Sequence, residues 1–444
     1  MTEPLRRHKQ YKNRKPEDTI TVIQDILKGK LGLGLYERSF KERNGLFYSC
    51  RILLDNGTWF RALNIGTNGK GMTEAYSRAS AYGELMERIQ NGVLLPFDKD
   101  TELLYHYAFD EQILMDDILL KDTIDSYILS FDNQMMFELN KGKAHYYIPY
   151  YNIKDGTIVQ MPLDIIFNSI STNGLCAGNT PQEAIIEGLG EIMERYVIRK
   201  IYQDNLALPR IPRSYFEGNE VLERMEELEK IERYHIEIID CSLGVGIPAV
   251  GIVITTEDKS EYQFHMGVDP SPITALERSL TELFQGRNAI KFKQFEKDYQ
   301  KDLNVNILLK EAEIHKTYCA STGAYPFAFF SNTSSYEFNG FDNRLGWSDE
   351  TDLKLMIELI KRLGFNLYIR DNSFLGFPAY SLYVPGMTEL YNVFSLSNME
   401  HGGYSNWEKP ESAVYDEYVD LIKKLQEHAL EAKIDQMSLK KIFH

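Results

Sequence analysis

Residues 171–196 read STNGLCAGNTPQEAIIEGLGEIMERY. A polar, glycine-containing stretch gives way at Thr180-Pro181 to apolar residues recurring every three or four positions. Thr180 and Glu183 have the Thr-x-x-Glu spacing of a capping box, and Pro181 falls at the first helical position, where its missing N–H costs nothing. The pattern predicts a helix from Pro181 to about Tyr202. Along it Ile185, Ile186, Leu189, Ile192, Met193 and Val197 gather on one side. Glu183, Glu187, Glu191 and Glu194 fall on the other, within an arc of roughly 80°. Like charges four residues apart weaken a helix by a few tenths of a kcal/mol per pair, and a merely solvated face intersperses Lys to cancel this. Here only Arg195 and Arg199 compensate.

The chain has already spelled this helix once. Residues 83–89 read GELMERI, and both copies lie downstream of the same tripeptide, Thr67-Asn68-Gly69 and Thr172-Asn173-Gly174. A helix predicted from Thr73 to about Gln90 sets Ser77, Glu84, Glu87 and Arg88 opposite Tyr76, Ala79, Tyr82, Leu85, Met86 and Ile89. A third, from Pro272 to about Arg287, carries Glu282 and Gln285 three residues apart. Hard divalent cations need carboxylate oxygens, and Mg²⁺ is usually held by one or two carboxylates together with substrate phosphates and water. Glutamate pairs on different helices suit that task. Lys70, Arg88 and Arg195, with the backbone N–H groups of a Thr67–Gly71 loop, would supply donors for phosphates. Taken singly, each motif reads as a solvated face, a turn or a cap; their joint recurrence points to two jaws of one metal-nucleotide clamp. The chain contains no GxxxxGK[ST], and Gly32-Leu33-Gly34 lacks the third glycine of a dinucleotide fingerprint.

Outward from these helices the sequence alternates. Pro16 to Lys28 reads as an amphipathic helix, and GLFYSCRILL and GTWFRALNIG as strands around the Asp55-Asn56-Gly57 hairpin signal. AHYYIPYYNI, IPAVGIVIT, EYQFHMGV, FNLYIRD and FPAYSLYVP read as further strands, and Pro410 to His444 as one or two charged amphipathic helices forming a cap. The fold class is therefore mixed α/β with repeated strand-helix units and a short C-terminal helical extension. No low-complexity linker divides the chain, so the expected organisation is an N-terminal segment (1–60), one main domain (61–400) and the extension (401–444).

With 444 residues, 43% of them hydrophobic, the chain can bury a sizeable core. Its formal charge of −16 argues against DNA or anionic membranes as partners. No apolar run is long enough to span a bilayer, and the basic start (Arg6, Arg7, Lys9, Lys12, Arg14, Lys15) lacks the apolar stretch of a secretory signal, which predicts a cytoplasmic protein. Cys50, Cys176, Cys241 and Cys319 form no CxxC pair and are expected reduced and mostly buried. Nine scattered histidines give no metal spacing.

Four blocks in order, TNGKG with SAYGELMER, then STNGLCAGNTPQEAIIEGLGEIMERY, ALERSLTELFQGR and VPGMTELY, resemble the signature blocks of the YcaO family. They span about residues 60 to 395, and they are closer to its housekeeping proteobacterial branch than to the heterocyclases of natural-product clusters. The resemblance implies a family-specific α/β fold that binds ATP and Mg²⁺ between carboxylate-bearing helices and activates a backbone amide oxygen of a peptide or protein. A Cys, Ser or Thr side chain would then give an azoline, sulfide a thioamide and an amine an amidine. Carried over by position, Glu84, Glu87, Glu183, Glu191 and Glu194 would hold Mg²⁺, Asn179 and Arg195 would contact the nucleotide, and Glu282 and Gln285 match the third block. The family's N-terminal lysine and hydroxyl correspond to Lys12 and Thr19, with Lys15 competing for the first role; no side chain is singled out as the catalytic group. The chain ends SLKKIFH where azoline-forming members carry a proline-rich tail, which points away from azoline formation. The housekeeping branch is linked to methylthiolation of a small-subunit ribosomal protein, so an accessory role is the alternative. No separate leader-peptide module is expected before Thr67, which leaves room for a partner protein that delivers substrate or sulfur. Homodimerisation rests on the resemblance alone.

Overall fold

The computed structural model describes residues 12–55, 65–94, 111–114, 117–129, 133–142, 144–170, 172–294, 325, 327–390 and 412–443. Helix α1 (Pro16–Ile26) starts on a proline with Glu17 and Asp18 in its first turn, and a π turn at Leu27–Leu31 ends it at Gly32 (φ 66°). Strands β1 (Leu35–Lys41), β2 (Tyr48–Leu54) and β3 (Gly66–Gly71) follow, and helix α2 (Glu74–Gln90) lies on them. Next come β4 (Glu111–Leu114), α3 (Asp117–Tyr127), α4 (Asn133–Asn140), β5 (Ala144–Asn152), β6 (Ile158–Pro162), α5 (Leu163–Ile170) and β7 (Leu175–Ala177). The long helix α6 (Pro181–Gln203) leads to α7 (Glu220–Glu232), β8 (His235–Asp240), β9 (Ala249–Thr255), β10 (Glu261–Val268), α8 (Pro272–Glu282) and β11 (Lys293–Gln294). The chain closes with α9 (Asp349–Arg362), β12 (Tyr368–Asp371), β13 (Ala379–Tyr383), α10 (Ser412–Ala432) and α11 (Lys440–Phe443).

The strands make three sheets: β1-β2-β3, β11-β10-β9-β8, and β4-β5-β12-β13-β7 with β6 beside β5. Every strand pair among the described residues is antiparallel, so the helices do not serve as parallel crossovers. On the apolar side of α6, Ile185, Leu189, Ile192, Met193 and Val197 are fully buried beside Met266 and Val268 of β10 and Leu382 of β13, and Ile186 is half-buried at its margin. Leu421, Ile422, Leu425 and Ala429 of α10 belong to a second core with residues of α1, α2 and the first sheet, and α10 packs on the turn at Leu27–Leu31. No helix among the described residues is long and apolar enough to cross a membrane. Cys50, Cys176 and Cys241 are free and buried; Cys319 lies outside the described residues, as do Asn56 and Gly57 of the hairpin signal and most of GTWFRALNIG.

Five readings need correction. The TNGKG segment is the edge strand β3, with Thr67 opposite Ile52 and Gly69 opposite Cys50, and not a phosphate loop. Its glycines are required because α2 lies directly on it: a Cβ on Gly69 would stand 2.0 Å from the Ser77 carbonyl oxygen and 2.3 Å from the Ala81 nitrogen. Ser77, expected on the polar side of α2, is fully buried beneath that strand. The two Thr-Asn-Gly tripeptides, moreover, are not equivalent. Thr67–Gly69 is strand, whereas Thr172–Gly174 is a turn with Gly174 at φ 87°.

The true repeat runs at an offset of 107 residues, pairing Gly71 with Gly178, Thr73 with Thr180 and Glu84 with Glu191. Thr73 (φ −132°, ψ 159°) and Thr180 (φ −134°, ψ 160°) are N-caps of nearly identical geometry, each accepting from the N–H three residues on. A Cβ on Gly71 would come within 2.9 Å of the Ser77 nitrogen, and one on Gly178 within 2.7 Å of the Ala184 nitrogen, again 107 residues on. Only half of the expected capping box forms at Thr180, because the Glu183 carboxylate accepts from Asn179 instead (N–H 3.3 Å, Nδ2 3.0 Å). Finally, α8 stops at Glu282, and Gln285 stands in the turn that follows.

Candidate functional site

The site is built where α2, α6 and α8 meet β3 and β10. At the start of α6, Thr19 of α1 donates to Asn179 Oδ1 (2.8 Å), and Asn179 Nδ2 donates to Glu183 Oε1 (3.0 Å). The Asn13 N–H donates to Glu183 Oε2 (3.0 Å), and Asn13 Nδ2 donates to Thr180 Oγ1 (3.0 Å) and to Asp349. Lys12 Nζ donates to Glu187 Oε2 (3.1 Å). The N-terminal segment is thus laid along the first two turns of α6, and Lys12, not Lys15, reaches the acidic stripe; Lys15 starts α1 and accepts from Thr19 through its carbonyl.

One turn further on, the charges pack closely. Arg278 Nη1 donates to Glu187 Oε1 (2.5 Å), and Lys70 forms an ion pair with Glu282. Gln285, its amide nitrogen turned to Glu282, donates to both carboxylate oxygens at 3.0 and 3.1 Å. On α2, Glu84 accepts from the Asn68 N–H (3.2 Å) and from Arg88 Nη2 (3.4 Å), while Arg88 Nη1 stands 3.3 Å from Glu87 Oε1. On α6, Arg195 Nη2 is 3.8 Å from Glu191 Oε1. Glu194, Arg195, His265, Glu282 and Tyr325 line a common cleft.

The electrostatics tie the two repeated helices together. Burial pushes the Glu87 carboxyl well above the usual range, with Glu191, Glu84 and Glu187 adding to the rise and Arg88 opposing it. Burial likewise raises Glu191, helped by Glu194 and Glu84 and resisted by Arg195 and Arg88. Glu187 goes the other way: burial resists, but Arg278 and Lys12 hold it well below the ordinary carboxylate value. Burial and the neighbouring Arg278 bring Lys70 down to about 8 against the pull of Glu194, Glu187 and Glu84. Burial, with Arg287, Lys70, Lys293 and Arg195 around it, brings His265 down to about 3, so it is neutral at physiological pH.

Sequence reasoning placed Lys12, Thr19, Lys70, Asn179, Arg195, Gln285, Glu84, Glu87, Glu183, Glu191, Glu194 and Glu282 at a site. The acids of α2 and α6 share one field with Lys70, Arg195 and Glu282, whereas Glu183 stands apart at the head of α6, tied to Asn179 and Asn13. It missed Arg278 and His265. Arg278 was legible, lying four residues before Glu282 on the same face of α8; His265, inside an apolar strand, carried no such signal. Among the described residues no three His, Cys, Asp or Glu side chains stand together closely enough to hold a metal ion unaided. Buried polar atoms nevertheless stand without hydrogen-bond partners here: Arg278 Nε and Gln263 Oε1, the latter beside His265, while Glu87 Oε1 and Arg88 Nη1 have only their mutual ion pair at 3.3 Å. Native interiors satisfy almost all such atoms, so their concentration marks a place for a polar ligand. The donor set fits magnesium with a polyphosphate, since that cation needs only one or two protein carboxylates when phosphates complete its shell.

Fold and site together define an α/β protein in which carboxylates and guanidinium groups of three helices share one electrostatic field, with Glu194 and Arg195 of α6 and Glu282 of α8 lining a common cleft. The family model described as YcaO cyclodehydratase, ATP- and Mg²⁺-binding, matches residues 68–388, and the chain belongs to the YcaO family. It is 28% identical over 395 residues to the Escherichia coli ribosomal protein S12 methylthiotransferase accessory factor YcaO, covering 82% of this chain and 65% of that protein. It is 27% identical over 358 residues to an uncharacterized Haemophilus influenzae protein, covering 77% and 60%. The chain therefore spans less than two thirds of the length of these curated relatives. Among solved structures, a heterocyclase in complex with substrate and cofactor superposes with a TM-score of 0.60 at 19% identity, over 87% of this chain and 55% of that one. YcaO from Methanopyrus kandleri, bound with AMPPCP and Mg²⁺, gives 0.54 at 16% identity, over 93% and 99%. These two share the fold of the present chain.

Proposed function

We propose that the chain binds MgATP in the cleft between α2, α6 and α8 and activates a backbone amide of a peptide or protein for attack by a nucleophile. The single observation that carries this reading is the pair of repeated glutamate helices, identically capped at Thr73 and Thr180, which bring the half-buried Glu84, Glu87, Glu191 and Glu194 into one electrostatic field with Arg88 and Arg195. One or two of Glu84, Glu87, Glu191, Glu194 and Glu282 would hold Mg²⁺, with phosphate oxygens and water completing its shell. Asn179, Thr19, Lys12 and Arg278 would bind the nucleotide at the head of α6, with Glu183 fixing Asn179. Bound there, MgATP would supply a phosphoryl group for the amide oxygen, turning a poor leaving group into a good one.

The chain's own residues supply binding and charge. Lys70 and Arg195 stand where negative charge must be neutralised, and Gln285 keeps Glu282 oriented. Lys70 and Arg88 now occupy the carboxylates, so ligand binding would exchange protein ion pairs for cation and phosphate contacts. A second reading, an ATP-binding accessory factor for a partner enzyme, is favoured by the name of the Escherichia coli relative. Calorimetric titration of MgATP into the wild-type chain and into Glu191→Gln tests both. Saturable binding lost in the variant is expected; absence of heat in the wild type would remove both readings. Phosphate release that appears only with a partner protein would favour the accessory role over amide activation by the chain itself.

A further inference from the structure

Strand β10 sets Gln263 and His265 among Tyr262, Phe264 and Met266, two residues apart and therefore on one face. Both are buried, Gln263 2% and His265 7% exposed, and His265 lines the cleft with Glu194, Arg195, Glu282, Lys293 and Tyr325. Their side chains meet at 2.9 Å, Gln263 Nε2 against the ring Nε2. An amide nitrogen can only donate, so the ring Nε2 accepts and the imidazole proton sits on Nδ1. The Gln263 bond is the ring's one hydrogen bond among the described residues, which leaves the Nδ1–H to an occupant of the cleft. Gln263 Oε1 has no partner either. A buried polar pair kept for the fold alone is expected to have both ends satisfied; this pair is half-satisfied, at the wall of a cleft.

We propose that His265 is a phosphoryl-binding residue of the clamp: its Nδ1–H donates to a terminal phosphate oxygen of the bound nucleotide, and Gln263 holds the ring in that tautomer. The inference rests on the nucleotide reading above and says which end of the ligand lies at β10. Thr19, Asn179 and Lys12 gather at the head of α6, the far end of the glutamate stripe from Glu194 and Arg195, and take the rest of the nucleotide. The largest charge effects on the ring all come from cations, Arg287, Lys70, Lys293 and Arg195, which with burial keep it neutral. Each has its own partner: the Gln285 carbonyl for Arg287 (3.4 Å), Glu282 for Lys70, the Tyr325 ring for Lys293 (5.7 Å) and Glu191 for Arg195 (3.8 Å). Glu194 and Glu282 are the carboxylates that line the cleft with the ring. A positive potential at a neutral donor suits an oxyanion. The ring supplies a hydrogen bond to a group whose charge changes in transfer, without adding a further charge to crowded cations.

The test is calorimetry on the whole chain with MgADP and with MgAMPPCP, a methylene-bridged triphosphate that adds the terminal phosphate. The wild type is expected to bind the triphosphate the more tightly. His265→Leu should cut that preference about tenfold, as the loss of a hydrogen bond to a charged acceptor does, with MgADP affinity kept within about twofold as the sign of a folded clamp. His265→Asn, which keeps an N–H donor near the place of Nδ1, should restore most of the preference. The imidazole nitrogen NMR resonances of the ligand-free chain, assigned through His265→Asn, should show a ring protonated at Nδ1. A ring protonated at Nε2 overturns the proposal, as does a His265→Leu chain whose two affinities fall together or stay unchanged. Inorganic phosphate titrated into the MgADP-saturated chain separates the sources of the oxyanion. Phosphate binding that needs His265 while MgAMPPCP binding does not would give the oxyanion to a second substrate and overturn the assignment to the nucleotide. A wild type that binds neither nucleotide refutes the clamp itself, whereas normal MgADP binding with an unchanged preference in the variants refutes the role of His265 alone.

Discussion

Glu87 and Glu187 sit on neighbouring helices under opposite electrostatic pressure. Glu187 is held below the ordinary carboxylate pKa, so its ion pairs with Arg278 and Lys12 stabilise the fold fully above about pH 4.3 and progressively less as pH falls below it. Urea midpoints measured between about pH 5 and pH 3 should fall more steeply in the wild type than in Glu187→Gln. Glu87 is held above the ordinary value, so its contribution has the reverse sign: the folded state favours the protonated acid, and stability drops as pH rises through the raised pKa. Glu87→Gln should therefore stabilise the ligand-free chain by on the order of 1 kcal/mol near neutral pH while weakening MgADP binding at least tenfold. A variant that loses stability and keeps its affinity would show Glu87 to be a structural acid. The spacing of Arg278 to Glu282 placed it on the site's face of its helix, but its partner, the Glu187 carboxylate 91 positions away in the chain, left no local signal.

At the scale of the element, the two repeated helices were legible because their signals are local, whereas α3, α4, α5, α7 and α9 were not read. Thr180, Pro181 and the apolar period place α6 to within a residue of Pro181–Gln203. The strand β3 was not, since Gly-Thr-Asn-Gly-Lys-Gly has the composition of a loop and becomes a strand only because α2 needs a surface without side chains to lie on. Strand β1 was hidden for a related reason: LYERSFK is an edge strand with mostly exposed or half-exposed residues, so no apolar alternation announces it. The glycine contacts make a direct comparison. Gly71→Ala and Gly178→Ala, which press a methyl against a helix backbone, should each destabilise by about 1–3 kcal/mol and loosen nucleotide binding by displacing a clamp helix. Gly83→Ala, mid-helix with nothing within 4 Å, should stabilise by up to about 1 kcal/mol. Chemical denaturation of the three variants separates close packing from helix propensity.

For the whole molecule, the alternation of strand and helix gave the α/β class but not the pairing. Antiparallel register depends on which strands meet, and long-range contacts leave no trace in a local period. The site draws on residues from 12 to 325, so a ligand there spans segments distant in sequence and should act as a brace. Differential scanning at MgADP about a hundredfold above its dissociation constant should show a stabilisation of about 2.7 kcal/mol, absent in Glu191→Gln and much reduced with Mg²⁺ or ADP alone. An unchanged melting curve would deny the brace. The buried thiols give this experiment a built-in clock. Cys176 is fully enclosed, with the backbone of Gly188 on α6 packed against its side chain, and burial lifts its thiol pKa well above the normal value. Alkylation of Cys176 in a Cys319→Ser background therefore counts how often α6 lifts away from β7, and the rate with and without nucleotide reads the breathing of the cleft without any label being introduced.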